Sequence, residues 1–358
     1  MSGSSLDGLD IAYVHLHETA GKWNYEIVKA DCYAYSNEWV SKLSNATSLD
    51  ARSYLLLHTE YGHEIGRLVN QFIADNGLHY QVQLIGSHGH TTFHMPAQKM
   101  TGQLGDGAAI AATTGINTVT DLRATDVALG GQGAPIVPIG EKILLGDYQF
   151  FLNLGGIANI SLNHPEDYTA FDICPANRVL NILAGQVGKS YDAGGEMAAS
   201  GTVDVELLRR LNALEYYGLP YPKSLANDFG THEVYPLVQS AGLSNADALR
   251  TYVEHICTQI TNAVQLLLPK LPKAEEYKLL ATGGGALNTF MMTRLQQVLR
   301  QLGVTVIKPD DDLVQYKEAL IMALIGVLRW REENNAIASV TGASRSSIGG
   351  AVWIGQEA

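Results

Sequence analysis

Chemistry in this chain is concentrated in a few glycine-rich or carboxylate-bearing runs. The first is Gly3-Ser4-Ser5-Leu6-Asp7-Gly8-Leu9-Asp10. Small residues let main-chain N–H groups approach phosphate oxygens, hydroxyls add donors, and nearby carboxylates can hold a hydrated magnesium ion. The same run also reads as a Ser/Gly stretch that happens to hold two aspartates, and no Gly-Lys-Ser/Thr follows to make it a Walker loop. Thr282-Gly283-Gly284-Gly285-Ala286-Leu287-Asn288 lies between a strand pattern and a helix pattern. Bare backbone there lets a flat nucleoside or a phosphate lie at a helix N-terminus, where the dipole favours negative charge. Three consecutive glycines cost conformational entropy that a tight turn alone does not require, which favours the ligand reading.

Two further runs place charged side chains at strand ends. In Asp121-Leu122-Arg123-Ala124-Thr125-Asp126, followed by Gly130-Gly131-Gln132-Gly133-Ala134-Pro135, an arginine at a strand end can clamp an anion. It can equally be salt-bridged to Asp121 or Asp126. Asn153-Leu154-Gly155-Gly156-Ile157-Ala158-Asn159 forms a second glycine turn. It is followed by Phe171-Asp172-Ile173-Cys174-Pro175-Ala176-Asn177, in which Asp172 closes a strand just before a helix. That position aims a carboxylate into a cleft, or caps the helix. His88, His90 and His94, spaced by two and four on a loop with no acidic partner in the run, favour substrate hydrogen bonding or surface positions over zinc.

The elements that must carry these residues follow an α/β pattern. Asp10 to His17 and Trp23 to Ala30 read as a hairpin; a helix spans Ala51 to Asn76, with Leu55, Ile65, Leu68 and Phe72 at helical spacing. Val82 to Ile85 and Ile116 to Thr120 read as strands around a helix from Gly107 to Thr114. The pattern restarts at Phe150 to Leu154 and Ile157 to Leu162, a weak internal echo of the opening. Helices from Ala176 to about Gly188 and from Leu249 to Leu268 come next, the second stopped by Pro269. Strand Lys278 to Ala281, a helix from Asn288 to Leu302, strand Val304 to Ile307 and a helix apolar all round from Glu318 to Trp330 complete the reading. With 358 residues and no Pro-rich or Gly/Ser-rich linker, this predicts two lobes joined by short crossings.

Composition narrows the function. Twenty-four basic against 36 acidic residues, a net charge of −12 without a basic patch, disfavours a nucleic-acid partner. Cys32, Cys174 and Cys257 form no close pair, which predicts free thiols and a reducing cytoplasm. The longest apolar stretch, Ala319 to Leu328, is too short for a bilayer, and no basic region followed by an apolar run opens the chain, so neither a membrane anchor nor an export signal is predicted.

Taken together the runs resemble the 1,6-anhydro-N-acetylmuramic acid kinase family, a branch of the actin-like (ribonuclease H-like) sugar kinases. The resemblance is carried, in order along the chain, by residues 1–10, Ser-His-Gly-His-Thr at 87–91, Asp-Leu-Arg-Ala-Thr-Asp-Val-Ala at 121–128 and Gly-Gln-Gly-Ala-Pro at 131–135. It continues through residues 153–159 and 171–177, Pro-Lys-Ser at 222–224, Gly-Gly-Gly-Ala-Leu-Asn at 283–288 and Lys-Glu-Ala at 317–319. It implies a two-lobed actin-like ATPase fold with an inter-lobe cleft: lobe I over 1–140, and lobe II over 141–358 with its carboxy-terminal segment able to return to lobe I. It also implies an ATP- and magnesium-dependent cytoplasmic kinase of cell-wall sugar recycling that opens the anhydro ring with water and phosphorylates O6.

By the same resemblance Asp172 is the base, Arg123, Glu318, His88 and Thr91 hold the sugar, and Gly3 to Asp10, Gly155, Gly156, Gly283 to Gly285 and Asn288 hold ATP, with Asp7 on the magnesium. A homodimer is implied as well. Another kinase of the same fold, or an actin-like or chaperone-like nucleotide switch, are the competing functions; Arg123, Asp172 and Glu318 argue against both. The chain departs from the family in three places. Gly-Ser-Ser stands for Gly-Thr-Ser, His90 for a common glutamine and Asn181 for a common aspartate. Family members also place a short strand before Met-Ser-Gly. Its absence from lobe I leads to the expectation of a ladder of unpaired backbone groups there, of an internal start at Met1, and of a gain in stability and activity on upstream extension.

Overall fold

A computed structural model of the chain describes residues 1–3, 5–164, 168–221, 223–226 and 228–355. Ser4 and Pro222, both singled out above, lie outside the described residues. The chain divides into two compact α/β units, Met1–Leu145 with Tyr316–Ala358, and Gly146–Gln315.

Unit 1 opens with the hairpin β1 (Gly8–Thr19) and β2 (Lys22–Ala34), antiparallel with a register shift at Tyr13/Val14. Gly8 is required by contact: a Cβ there would lie 2.6 Å from both Cys32 Sγ and the Tyr33 carbonyl. After α1 (Asn37–Ser44) comes α2 (Ala51–Asp75), capped by Asp50, whose carboxylate accepts from the Arg52 and Ser53 N–H groups. Its stripe Leu57, Tyr61, Ile65, Leu68 and Phe72 is buried in one apolar cluster with Leu9 and Leu104. The short β3 (Ile85–Gly86), the hairpin β4 (His90–Met95) and β5 (Met100–Leu104), α3 (Gly107–Thr114), β6 (Thr118–Thr120), α4 (Ala124–Ala128) and α5 (Pro138–Leu144) follow.

Unit 2 carries a five-stranded sheet. Its strands are β7 (Phe150–Leu154), β8 (Ile157–Leu162), β9 (Thr169–Pro175), β10 (Tyr277–Thr282) and β11 (Val304–Ile307). Their spatial order is β11-β10-β7-β8-β9, parallel from β11 to β7 and antiparallel from there to β9. The helices are α6 (Asn177–Gly185), α7 (Glu196–Ser200), α8 (Val205–Asn212), α9 (Glu215–Gly218), α10 (Tyr235–Gln239), α11 (Asn245–Leu267) and α12 (Thr289–Leu299). The core joins the sheet to α6, α11 and α12 through fully buried Leu152, Leu154, Ile160, Val179, Val253, Ile256, Ile260 and Leu295.

Helix α13 (Asp311–Trp330) begins in unit 2 and leaves helical geometry at Tyr316 (φ −113°, ψ 15°), the first residue of the returning part of unit 1. Then come α14 (Ala338–Thr341) and β12 (Ala351–Trp353), which joins β6 and β3 in a sheet of order β12-β6-β3.

Most expected elements stand within a few residues of their predicted bounds, and four differ for identifiable reasons. Of the expected strand at 82–85 only Ile85 is ladder-paired, with Gly86 following it, because β6 itself begins at Thr118 and sets Thr118 and Val119 opposite those two residues. The expected strand from Ile116 shortens accordingly. Asp172 sits within β9 opposite Asn159, and does not close the strand, because pairing with β8 continues to Pro175. The last long helix starts seven residues earlier than expected, and its end is not buried, Trp330 being 46% exposed.

Candidate functional site

In unit 1, β3 and β6 bring two of the singled-out runs together. The Ser87 N–H donates to the Val119 carbonyl (2.8 Å), carrying the chain past β3 alongside β6 into His88. Gly89 turns it at φ +69°, where a Cβ would strike the Leu104 carbonyl at 2.2 Å. His88 is buried. Its Nδ1 contacts the Gly89 carbonyl (3.0 Å), an acceptor only, so Nδ1 carries the proton and Nε2 accepts from Arg123 Nε (2.8 Å). Burial, reinforced by the Arg123 charge, pushes the His88 pKa down to about 3. The imidazole is therefore a neutral acceptor for a guanidinium. Its Nε2 15N resonance is expected to stay at the unprotonated position as pH falls from neutrality to about 4, and a protonation shift near the ordinary histidine value would contradict this tautomer.

Arg123 pairs with neither aspartate beside it in sequence. Asp121 accepts from the Thr120 hydroxyl, and buried Asp126 accepts from the Gly133 N–H (2.7 Å) and the Thr341 hydroxyl (2.6 Å). Asp126 thereby fixes the glycine loop whose Gly133 carbonyl accepts from Arg123 Nη1 (2.5 Å). Burial lowers the Arg123 pKa, and the Glu318 carboxylate nearby opposes this. Glu318 is exposed on α13, immediately after Lys317, whose ammonium makes a buried 3.0 Å ion pair with Glu141. Thr91 is exposed on β4, and His90 and His94 turn to Ser2 Oγ (3.1 Å) and Thr101 Oγ1 (3.1 Å).

The Gly3–Asp10 run lies at the same end of unit 1. The Met1 amine donates to the Asp10 carbonyl (2.7 Å); burial lowers its pKa against the opposing charges of Asp10 and Glu318. Burial raises the Asp10 pKa, while a hydrogen bond from the Cys32 thiol and the Met1 charge pull it down. Leu6 adopts φ +55°, unusual for a branched residue. Asp7 is exposed, and its Oδ1 accepts from the Ser5 hydroxyl (2.7 Å) and the Gly8 N–H (3.1 Å). A single exposed carboxylate with a hydroxyl suits a largely hydrated magnesium ion completed by phosphate oxygens, and among the described residues no group of three or more His, Cys, Asp or Glu could hold a metal unaided.

In unit 2, the turn Gly155-Gly156 is pinned to the start of α6: its carbonyls accept from the Asn177 (3.1 Å) and Ala176 (2.8 Å) N–H groups. Asn177 Nδ2 donates to the Leu154 carbonyl (3.0 Å). Gly283 (φ +81°) and Gly285 press on the same place, with a Cβ at 285 falling 2.7 Å from Leu154 Cβ and 2.9 Å from its carbonyl oxygen. Packing thus accounts for two of the three consecutive glycines. A Cβ at Gly284 would meet nothing nearer than Asn177 Nδ2 at 3.8 Å, and Gly155 and Gly156 are similarly open. We expect Gly285→Ala to cost about 1–3 kcal/mol of stability. Gly284→Ala is expected to leave melting unchanged and to raise the KM for ATP, since only a ligand needs that position bare; calorimetry and initial rates separate the two. Asn288 caps α12, accepting from the Met291 N–H (2.9 Å).

Asp172 is half-buried on the edge strand β9, and its holding groups come from a segment far along the chain. Its N–H donates to the Lys223 carbonyl (3.1 Å), its carbonyl accepts from the Tyr216 hydroxyl (2.7 Å), and Oδ2 accepts from the Leu225 N–H (2.9 Å). Lys223 Nζ lies 4.6 Å from the Tyr216 ring centre and donates to the Tyr216 carbonyl (3.1 Å). Burial raises the Asp172 pKa, and the Leu225 N–H only partly offsets it. A carboxylate so held is more basic than an ordinary aspartate and can accept a proton. Sequence reasoning missed Tyr216, Leu225 and Asp126 as positioning groups; the only available signals were the Pro-Lys-Ser run at 222–224 and the second aspartate after Arg123.

The chain matches the family model described as anhydro-N-acetylmuramic acid kinase over residues 1–355. Similar proteins of that name include one from Gloeobacter violaceus, 35% identical over 97% of this chain and 95% of the relative. Another, from Synechococcus elongatus, is 32% identical over 99% and 98%, and one from Haemophilus influenzae is 32% identical over 99% and 96%. Among solved structures, an activator of 2-hydroxyisocaproyl-CoA dehydratase from Clostridium difficile aligns at 16% identity over 60% of this chain and 68% of that one, with a TM-score of 0.35, too slight a likeness to argue from.

Proposed function

We propose, from the fact that this chain belongs to the anhydro-N-acetylmuramic acid kinase family, that it uses ATP and water to convert 1,6-anhydro-N-acetylmuramic acid into N-acetylmuramate 6-phosphate. The observation that carries the reading is Asp172. Among the described residues its Oδ2 alone is hydrogen-bonded, so Oδ1 can take a proton from water while the raised pKa matches a general base. Water adds to C1 as Asp172 removes its proton, the C1–O bond of the bridge breaks, and the freed O6 takes the γ-phosphoryl group with ADP leaving.

The chain's other residues bind and orient. Arg123, oriented by neutral His88 and the Gly133 carbonyl, and Glu318 hold the sugar, with His88 and Thr91 beside them. Gly3 to Asp10 takes the phosphates, and Gly155, Gly156, Gly283 to Gly285 and Asn288 take the rest of the nucleotide. Asp7 would hold magnesium, which supplies charge neutralisation at the phosphates when bound. The reaction serves cell-wall sugar recycling in the cytoplasm, with the enzyme acting as a homodimer; among the described residues no helix is long and apolar enough to cross a membrane. Mass spectrometry of the product tests the chemistry: a gain of both water and phosphate supports it. Phosphate transfer to glucose, glycerol or acetate in place of the anhydro sugar, or slow ATP hydrolysis with no sugar acceptor, would overturn it.

A further inference from the structure

Asp172 lies on β9, the last strand of the unit 2 sheet, with Asn159 of β8 opposite it on the inner side. The groups that meet it on the outer side come from two short segments, residues 216–217 of α9 and residues 223–225. One residue bonds to both ends of this arrangement. The Lys223 carbonyl accepts from the Asp172 N–H (3.1 Å). The Lys223 ammonium donates to the Tyr216 (3.1 Å) and Tyr217 (3.4 Å) carbonyls and sits over the Tyr216 ring. The Tyr216 hydroxyl then donates to the Asp172 carbonyl (2.7 Å). These bonds close a ring through three residues. The Leu225 N–H, which reaches Asp172 Oδ2 at 2.9 Å, is two residues past the one that closes it.

The 216–217 end of the ring is tied to the core of unit 2. Asn212 Oδ1 accepts from both Gln259 Nε2 (2.8 Å) and His255 Nδ1 (2.7 Å), so His255 Nε2 is left to accept from the Tyr217 hydroxyl (3.0 Å). Burial pushes the His255 pKa down to about 3, which keeps the ring a neutral acceptor. Fixed in this way to α8 and α11, residues 216–217 are a firm base, and the Lys223 ammonium carries that firmness across to residues 223–225.

Packing alone does not call for a lysine at 223. Its ammonium is half-buried, burial lowers its pKa, and its bonds go to carbonyls. A methionine could cover the same aromatic ring without the desolvation cost of a charge. Nor does Lys223 make an ion pair with Asp172, which would depress the basicity of that carboxylate. Of the other titratable groups nearby, burial holds the Tyr216 phenol and the Cys174 thiol in their neutral forms. The lysine therefore acts on the backbone around Asp172 and leaves its charge state alone.

We propose that Lys223 is a positioning residue for the reaction: by bonding residues 216–217 it fixes where the Leu225 N–H stands, and so which oxygen of Asp172 is engaged and which faces the attacking water. The inference rests on the reading of Asp172 as the base. It adds a residue that touches neither sugar nor nucleotide.

Lys223→Met, which keeps the bulk over Tyr216 and removes the donors, is compared with Lys223→Arg, which keeps donors, and with Asp172→Asn. Three readouts are taken on the whole protein: amide hydrogen exchange at Asp172 and Leu225, Tm, and the pH profile of sugar phosphorylation. In Lys223→Met, exchange at both amides is expected to quicken by about tenfold or more, while Tm stays within a few degrees of the wild type. The kcat should fall about 10- to 100-fold with the KM for ATP unchanged. The Leu225 N–H lowers the Asp172 pKa, so loosening that bond raises it, and the acid limb of the profile should move to higher pH. Lys223→Arg should recover part of the rate and of the amide protection. Unchanged exchange in Lys223→Met would overturn the proposal, as would a fall in kcat that tracks a fall in Tm with the acid limb unmoved, which marks a merely structural role. Full turnover in Lys223→Met beside a collapse in Asp172→Asn would overturn it while leaving the base in place. Full turnover in Asp172→Asn would instead remove the reading on which it rests.

Discussion

Asp172→Asn is expected to lower kcat by about 10²–10⁴-fold with little change in the Kd for ATP. The substitution preserves the hold on the side chain, since an asparagine oxygen can still accept the Leu225 N–H and the backbone bonds to Lys223 and Tyr216 are untouched. What it removes is the ability to take a proton. Because burial raises the pKa of this carboxyl, the wild-type rate should fall on the acid side from a pH above the ordinary carboxylate range. The ionised form is the base, so the rate is full above that pKa and drops by about tenfold per unit below it. Stopped assays of sugar phosphate across the pH range, with nucleotide binding by calorimetry, check both parts. A variant retaining a tenth of the wild-type rate, or losing ATP binding in parallel, would remove Asp172 from the role of base.

The second large effect concerns stability. Lys317 and Glu141 form an ion pair with side chains 8% and 3% exposed. Lys317→Ala takes the ammonium away from a buried carboxylate and is expected to cost about 3–5 kcal/mol, a fall in Tm of roughly 10 °C for a unit of this size. Replacing both partners by apolar residues, Lys317→Met with Glu141→Leu, removes the desolvation cost of each and is expected to restore most of the loss. Lys317 also precedes Glu318 on the helical turn after the Tyr316 break, so the single variant should raise the KM for the sugar while the double variant recovers it only in part. Equal Tm values for the single variant and the wild type would show that the pair contributes nothing.

Legibility in the sequence followed the range of the interactions involved. The hairpin β7–β8 and its Gly155-Gly156 turn could be read directly, because alternation and a two-glycine break are local signals, and the long periodic stripes of α2 and α11 were equally plain. The short helices α7 to α10 carry too few turns for a period. The β4–β5 hairpin was hidden in the histidine run, whose side chains advertised metal chemistry more strongly than strand pairing. At the site, residue types were legible and their partners were not. Arg123 stood beside two carboxylates in sequence, yet a histidine 35 residues away and a carbonyl ten residues on take its donors. Asp172 looked like a strand terminus because Pro175 and Asn177 follow it, whereas the groups that hold it lie 44 to 53 residues further along the chain. Sequence alone marks the glycine triplet as a whole, whereas the fold separates Gly283 and Gly285, confined by β7, from Gly284, which is not.

Cys32 has a practical consequence. It is an exposed residue, but burial of its thiol and its hydrogen bond to Asp10 push the pKa up to about 12. Alkylation and disulfide exchange proceed through the thiolate, which is scarce here at neutral or mildly basic pH. With Cys174 and Cys257 enclosed in unit 2, maleimide dyes should label the native protein slowly, and a cysteine introduced on an outer loop could then be conjugated selectively without first removing the natural ones.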